Sequence, residues 1–280
     1  MVKKIIACAD IHFRNLEGLE DLQKTLESFI EKCKEIIAEE DSPNNVRIVV
    51  GGDVFESKIN VSNESSLVVG WFFRELNNLG CKTIVFAGNH DLVLYNLQRV
   101  DSLTPIFEIG NFDNISYIDS DLEYRSGCVV DDNVVWCLYS IFDDYNRPEI
   151  DEMKIRHPDK KLIGLVHGDV NGAVNFAGRT TEHGLDAGVF EGLDFVIAGH
   201  IHKRQEIKKN GVRVVYCSSM KQKDFGETVT QHGFVLWKLY EKKAPTYEFV
   251  DVVNPECGYY KFSVNGIDDI EDNKEELINY

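Results

Sequence analysis

Five short stretches of this 280-residue sequence end in side chains able to hold a metal ion. They are Asp10-Ile11-His12, Gly52-Asp53, Asn89-His90-Asp91, His167-Gly168-Asp169 and His200-Ile201-His202. Each follows an apolar run of the kind that forms a buried strand, and α/β folds place their sites at the carboxyl ends of such strands. Singly, every one of these residues is ordinary. Aspartate caps turns, Asn-His-Asp makes an Asx-turn, and a lone histidine is usually solvated or hydrogen-bonded. The set is not ordinary, because five of the eight histidines fall at these strand ends. His157, His183 and His232 lie elsewhere and read as structural or surface residues.

Carboxylates, imidazoles and one amide point to two divalent metal ions. One aspartate bridges two cations with its two oxygens, while neutral imidazoles, a second carboxylate and an amide oxygen complete each sphere. Mixed nitrogen and oxygen ligation without sulfur suits manganese, iron, zinc or nickel. Paired metals about 3.5–4 Å apart clamp the attacking and leaving oxygens of a phosphoryl displacement. The local charge favours such a substrate. Two cations bring four positive charges, Asp10 and Asp53 remove two, and a bridging hydroxide removes a third, so a phosphate diester is still attracted.

The surrounding elements must bring these ends together. "KKIIACAD", "VRIVVGGD" and "CKTIVFAGNHD" read as strands. Between the first two, Leu19, Leu22, Leu26, Phe29, Ile30, Cys33, Ile36 and Ile37 mark one helix face. A second helix runs through "SSLVVGWFFRELNNLG" and stops at Gly80. Strand and helix in alternation imply a parallel sheet. The middle of the chain is richer in strands: "NISYI", "LEYRSGCVV", "NVVWCLYSIF", then "KKLIGLVHG", "LDFVIAGHIH", "GVRVVYCSS", "HGFVLWKLY" and "PTYEFVDVV". Hairpins are expected at Asn210-Gly211 and Asp132-Asn133. The fold class is therefore α/β, a sandwich of two packed sheets. Residues 1–253 form the expected catalytic domain, and 254–280 form a tail with a short strand and an acidic helix.

Composition sets limits. The net charge of −17 argues against a broad nonspecific nucleic-acid surface, since phosphate binding draws on lysine and arginine. Seven scattered cysteines without a Cys-x-x-Cys pair fit reduced thiols in a cytoplasmic protein, not a zinc-thiolate site. No apolar run approaches the ~20 residues needed to cross a bilayer, so no membrane partner is expected.

In their order and spacing, Asp10-Ile11-His12, Gly52-Asp53, Gly88-Asn89-His90-Asp91, His167 and Gly199-His200-Ile201-His202 resemble the signature blocks of the calcineurin-like metallophosphoesterase superfamily. The resemblance implies a four-layer α/β/β/α sandwich of two mixed sheets. It also implies that Asp10, His12 and His202 hold a first metal, that Asn89, His167 and His200 hold a second, and that Asp53 bridges them. His90 would face the substrate and steady or protonate the leaving oxygen, with Asp91 orienting it. The sequence has "GDVFES" and "GNHD" where the protein-phosphatase branch has "GDxxDRG" and "GNHE". The stretch Val214–Thr228, "VVYCSSMKQKDFGET", is similar instead to the SbcD/Mre-type nuclease subunits of DNA double-strand-break repair. "ADIHFRN" and "VHGDVNGAV" look closest to phage recombination endonucleases, in which case the setting would be a host cytoplasm. That branch implies DNA as substrate, manganese as the leading metal (with iron, zinc, nickel or magnesium also fitting), an SMC-like ATPase partner and a homodimer. Arg14, Lys203, Arg204 and Lys221 are then candidates for DNA contacts. Two residues depart from the branch: Glu56 stands where Asp or His is usual, and Ser218 replaces a Gly. The branch continues into a capping domain and ATPase-binding helices, of which only "YYKFSVNG" has a counterpart here.

Overall fold

The computed structural model describes residues 1–14, 18–209, 211–252 and 258–259. The tail expected over 254–280 thus lies outside the described residues, apart from 258 and 259. Two six-stranded mixed sheets pack face to face. The first contains β1 (Lys4–Cys8), β2 (Val46–Gly51), β3 (Lys82–Phe86), β4 (Ile115–Tyr117), β11 (Gly233–Lys238) and β12 (Thr246–Asp251). Its order is β12-β11-β1-β2-β3-β4, with β1 to β4 parallel and β11 and β12 antiparallel at one edge. The second contains β5 (Gly127–Asp131), β6 (Val134–Tyr139), β7 (Lys161–His167), β8 (Phe195–Gly199), β9 (Gln205–Lys209) and β10 (Val212–Tyr216). Its order is β5-β6-β7-β8-β10-β9, parallel in the middle with an antiparallel strand at each edge.

Helices cover the outer faces. α1 (Leu19–Ala38) and α2 (Asn63–Asn78) bury their apolar stripes on the first sheet, where Leu26, Phe29, Phe72 and Phe73 pack against Ile6, Ile48 and Val50. α2 starts with a reciprocal Ser62–Ser65 capping box. The chain leaves it at Gly80, whose φ of +72° suits glycine. α3 (Thr104–Gly110) and α4 (Ile118–Asp121) are short helices near β4. On the far face of the second sheet, α5 (Ile150–Arg156) and a 3₁₀ turn at Ala187–Phe190 cover Val135, Val196 and Tyr216. Between the sheets lies an apolar layer that includes Ile5, Val49, Trp136, Ile163, Ile197 and Trp237. Consecutive strand residues therefore serve two cores, which is why these strands read as continuous apolar runs. The four-layer sandwich is the arrangement expected from the sequence.

The edges of the elements differ from the sequence reading around residues 115–127. The strand expected through Ile118 stops at Tyr117, and the one expected from Leu122 begins only at Gly127. Asp119 explains the turn. Its buried carboxylate accepts from Ala87 N at 2.8 Å and from the Ser140 hydroxyl at 2.6 Å, so the chain must double back to join the two sheets. Burial pushes this carboxyl up to about 6. The 131–134 hairpin forms as expected, with Asp132 at φ 50°. The other expected turn has Asn210 outside the described residues, while its flanks pair Lys209 with Val212.

A second polar tie also links the sheets. Arg47 of β2 donates Nε and Nη2 to the two oxygens of Asp131 in β5, at 2.8 and 3.0 Å, and both side chains are buried. Burial alone would raise Asp131, but Arg47 and Trp136 more than offset it and hold the carboxylate below its usual range. Removing one partner strands a buried charge. Arg47→Ala should therefore lower unfolding free energy by about 3–5 kcal/mol, while a paired Arg47→Met/Asp131→Leu chain should lose far less. Urea denaturation of both variants checks this, and equal losses would count against the pairing.

Candidate dimetal centre

Parallel strands put the carboxyl ends of β1, β2 and β3 on the same side of the molecule as those of β7 and β8. The loops that follow are locked together: Asp10 N donates to Gly52 O and His12 N to Asp53 O, both at 3.0 Å. Asp10, His12 and Asp53 sit at φ 54°, 56° and 50°, and His200 at 98°. Left-handed backbone at non-glycine residues costs of order 1–3 kcal/mol each and clusters at functional sites. Here it turns each side chain inward at once. Gly52 enables the approach, since a Cβ there would lie 2.6 Å from His167 Nδ1 and from Gly88 N.

Two sets flank Asp53. Asp10, His12 and His202 form one, and Asp53, His167 and His200 form the other, with the ligand atoms of each set within 4.8 Å of one another, and His90 lies within the same distance of His12 and Asp53. Asp53 Oδ2 lies 3.8 Å from His12 Nε2 and 3.1 Å from His167 Nε2. Asp53 Oδ1 is already used, accepting the His90 backbone N–H at 2.7 Å. The sequence reading gave the bridge two oxygens. The structure turns one oxygen toward both sets and spends the other on the backbone. His200 Nδ1 is 2.8 Å from Asn89 Oδ1, which adds the amide to the second set. All seven residues expected to ligate are thus brought together.

Hydrogen bonds behind the rings settle which nitrogens face inward. His167 Nδ1 donates to Gly51 O at 2.7 Å, which turns Nε2 toward the site, where it is buried 3.1 Å from Asp53 Oδ2. His202 Nδ1 faces Glu227 Oε1 at 2.6 Å, so its Nε2 lone pair points at His12 Nε2, 2.9 Å away. A buried inward nitrogen and two opposed imidazole nitrogens beside two carboxylates form a donor set that a pair of cations satisfies. Electrostatics agree. Burial alone would lower His167, yet Asp53 and Asp10 raise it to about 10. Burial likewise opposes ionisation of Asp53, but His167 and His12 hold that carboxylate below its usual range. The site calls for positive charge next to Asp53, whether from protons or from metal.

His90 lies at the open side, its ring centroid 5.0 Å from that of His12. The Glu56 carbonyl accepts from His90 Nδ1 at 2.7 Å, which leaves Nε2 as the free nitrogen. Asp91 was expected to orient this ring, and it does not. Its buried carboxylate accepts from the backbone N–H groups of Gly88, Phe55 and Val54 at 2.9, 2.9 and 3.3 Å. Asp91 therefore ties the β2 and β3 loops to each other, and burial, then the Asp53 charge, pushes its carboxyl up to about 7.

Two carboxylates that the sequence did not assign matter here. Glu227 grips His202 from behind and also accepts from Lys223 N at 2.8 Å. Its only signal was the "FGE" stretch, which carries no ligand spacing of its own. Glu56 lies 3.1 Å from His12 Nδ1 and 3.3 Å from Lys223 Nζ. Of the candidate substrate residues, Arg14 and Lys221 border a narrow recess together with Asp10, His12 and Lys223. Arg204 is engaged elsewhere, paired with Asp251 and lying 5.3 Å over the Phe249 ring. Lys203 is half-buried beside His202.

The family model described as Calcineurin-like phosphoesterase matches residues 3–204, a span that contains every ligand named above. The chain belongs to that family. The residue groups described above are candidate sites for the divalent metal ions that such phosphoesterases use. An uncharacterized protein of Acanthamoeba polyphaga mimivirus is 32% identical over 267 residues, 92% of this chain. The chain spans only 18% of that relative's length. A dimetal phosphatase from Danio rerio has a similar fold, with a TM-score of 0.54 at 12% identity over 86% of this chain and 93% of its own. Among the described residues, no helix of this phosphoesterase is long and apolar enough to cross a membrane.

Asp53→Ala should lose both metals, whereas His90→Ala should keep both, as read by elemental analysis after manganese loading and desalting. Full occupancy in the Asp53 variant would contradict the bridge. Glu227→Ala should weaken manganese binding by about 10–100-fold, the usual cost of losing the partner of a ligating histidine. Calorimetric titration measures that loss, and an unchanged affinity would count against the assigned role.

Proposed function

We propose that this phosphoesterase is a phosphodiesterase acting on DNA with manganese, the nuclease subunit of an assembly with an SMC-like ATPase. The observation that carries the phosphodiesterase reading is Asp53 Oδ2, set between two ligand groups, with the His90 ring turned by the Glu56 carbonyl beside them. A divalent pair, when bound, acidifies water toward a pKa of ~7 and neutralises charge at phosphorus. The chain supplies the rest. Asp10, held by two 3.0 Å bonds from the His200 N–H, and Asp53, held by His90 N–H, keep their carboxylates fixed. Glu56 carbonyl fixes the His90 ring so that Nε2 can hold a proton and give it to the leaving oxygen.

The choice of DNA rests on the resemblance of Val214–Thr228 to repair nucleases and on the cationic rim. Arg14, Lys221 and Lys223 stand beside Asp10 and His12, where they can take a phosphate next to the scissile one. The rim therefore carries three cations and one carboxylate, Glu56, within an otherwise acidic chain. The same resemblance extends the proposal to a homodimer in the cytoplasm.

A second reading, hydrolysis of small nucleotides or cyclic nucleotides, draws on a different observation. The broad cleft beside Asn89 and His200, about 860 Å³, is lined by no lysine or arginine among the described residues. Manganese-loaded protein assayed side by side on single-stranded DNA, duplex ends and bis-p-nitrophenyl phosphate separates the two. DNA turnover is expected, and cleavage confined to the small ester would favour the second reading. His90→Ala should cut DNA turnover by ~100 to 10,000-fold with both metals still bound. A parallel fall of metal content and activity would remove His90 from the chemistry.

A further inference from the structure

The two sides of the metal ligands differ in chemistry. On the side of Asp10 and His12 the rim is cationic. On the side of Asn89 and His200 the chain forms the cleft of about 860 Å³, of the size that takes a nucleoside. Its walls include Leu94 and Leu97, which are 49% and 46% exposed in the free protein, and the half-buried ring of Phe142. Among the described residues, nothing buries these two leucines more than about halfway. A phosphate chain is no match for this surface, since its negative charge would meet apolar side chains and carboxylates. A nucleobase is a match, because its flat faces are apolar and its edge carries hydrogen-bond donors.

We infer that this cleft is a nucleobase subsite, with Leu94, Leu97 and Phe142 against the base and Asp144 selecting an edge that carries an exocyclic amine. The inference rests on the phosphodiesterase reading and specifies what flanks its scissile phosphate. Asn89 and His200 line the cleft and also belong to the second ligand set, so a base seated there hangs from the phosphate at the metals. Among the acids at the cleft, Asp143 accepts from Ser126 N and Asn146 Nδ2, and Asp169 accepts from Thr181 and faces His200. Asp144 is exposed and its backbone sits at φ 50°, at the tip of the turn that follows β6. Its carboxylate accepts from the amine of cytosine, adenine or guanine, and finds no such amine on thymine.

Binding to the manganese-loaded protein tests this without relying on turnover. Titrations compare inorganic phosphate, deoxycytidine 5′-monophosphate and deoxythymidine 5′-monophosphate. The nucleotides should bind at least ~10-fold more tightly than phosphate, the scale of one stacked base. Leu94→Ser/Leu97→Ser should bring them down toward phosphate and leave phosphate itself unchanged. Asp144→Gly, which suits a positive φ, should erase the preference for the cytidine nucleotide over the thymidine nucleotide. Equal binding of phosphate and nucleotides, or a gap untouched by the double leucine variant, would overturn the subsite. Equal binding of the two nucleotides to the unaltered protein would overturn the role of Asp144. Absence of DNA cleavage alongside a clear nucleotide preference would sink the DNA reading and leave the subsite standing.

A separate observation supports a second site. Cys128 on the edge strand β5 is directly opposed to the buried Cys137 of β6, with sulfurs 3.3 Å apart. We propose that they form a disulfide by exchange with oxidised glutathione. The Cys128 thiolate displaces one glutathione thiolate to give a mixed disulfide, and Cys137 then displaces the second, so two reduced glutathiones leave. Peptide mapping after this treatment should show 128 linked to 137 with two hydrogens lost, and Cys137→Ser should trap the mixed disulfide. Free thiols at both positions after treatment, or glutathione retained on the unaltered chain, would overturn it.

Discussion

The fold is organised around one buried electrostatic problem: two carboxylates, Asp10 and Asp53, lie almost fully out of water within reach of five imidazoles. Left without positive charge, such a cluster would strongly oppose folding. The chain meets it in three ways. Backbone N–H groups of His90 and His200 bond the carboxylates, protonated His167 or a cation balances them, and the Asp91 carboxyl nearby is pushed toward its neutral form. The left-handed backbone at Asp10, His12, Asp53 and His200 is the conformational counterpart of this arrangement, with strain held by the parallel strands beneath it.

That arrangement explains the architecture around it. Two sheets with parallel centres aim five loops at one place, and an apolar layer between the sheets holds the loops in register. Asp119 and the Arg47–Asp131 pair add polar ties where the sheets must not slide. Both couple the second sheet to β2 and β3, the strands whose ends carry Asp53 and Asn89. Stability and site geometry share the same contacts.

The cluster was legible in the sequence because metal ligation demands particular residue types, and those types stand at the ends of apolar runs where little else would place them. The four layers were legible for a similar reason: doubly buried strands read as unbroken apolar stretches. What stayed hidden depends on side chains meeting across long separations. Glu227 behind His202, Asp91 binding backbone rather than His90, and Asp119 ending β4 early have no local pattern. Arg204 looked like a substrate contact from its position after His202, but a neighbouring strand supplies Asp251 to neutralise it. Only Oδ2 of Asp53 lies toward both ligand sets, because Oδ1 accepts a backbone N–H, and no sequence rule anticipates that.

The most direct measurement is anomalous diffraction from crystals grown with manganese. Two peaks should flank Asp53 Oδ2 at a separation of about 3.5–4 Å, one among Asp10, His12 and His202 and the other among Asn89, His167 and His200. A single peak, or none within reach of His167 Nε2, would contradict the shared carboxylate on which the rest depends.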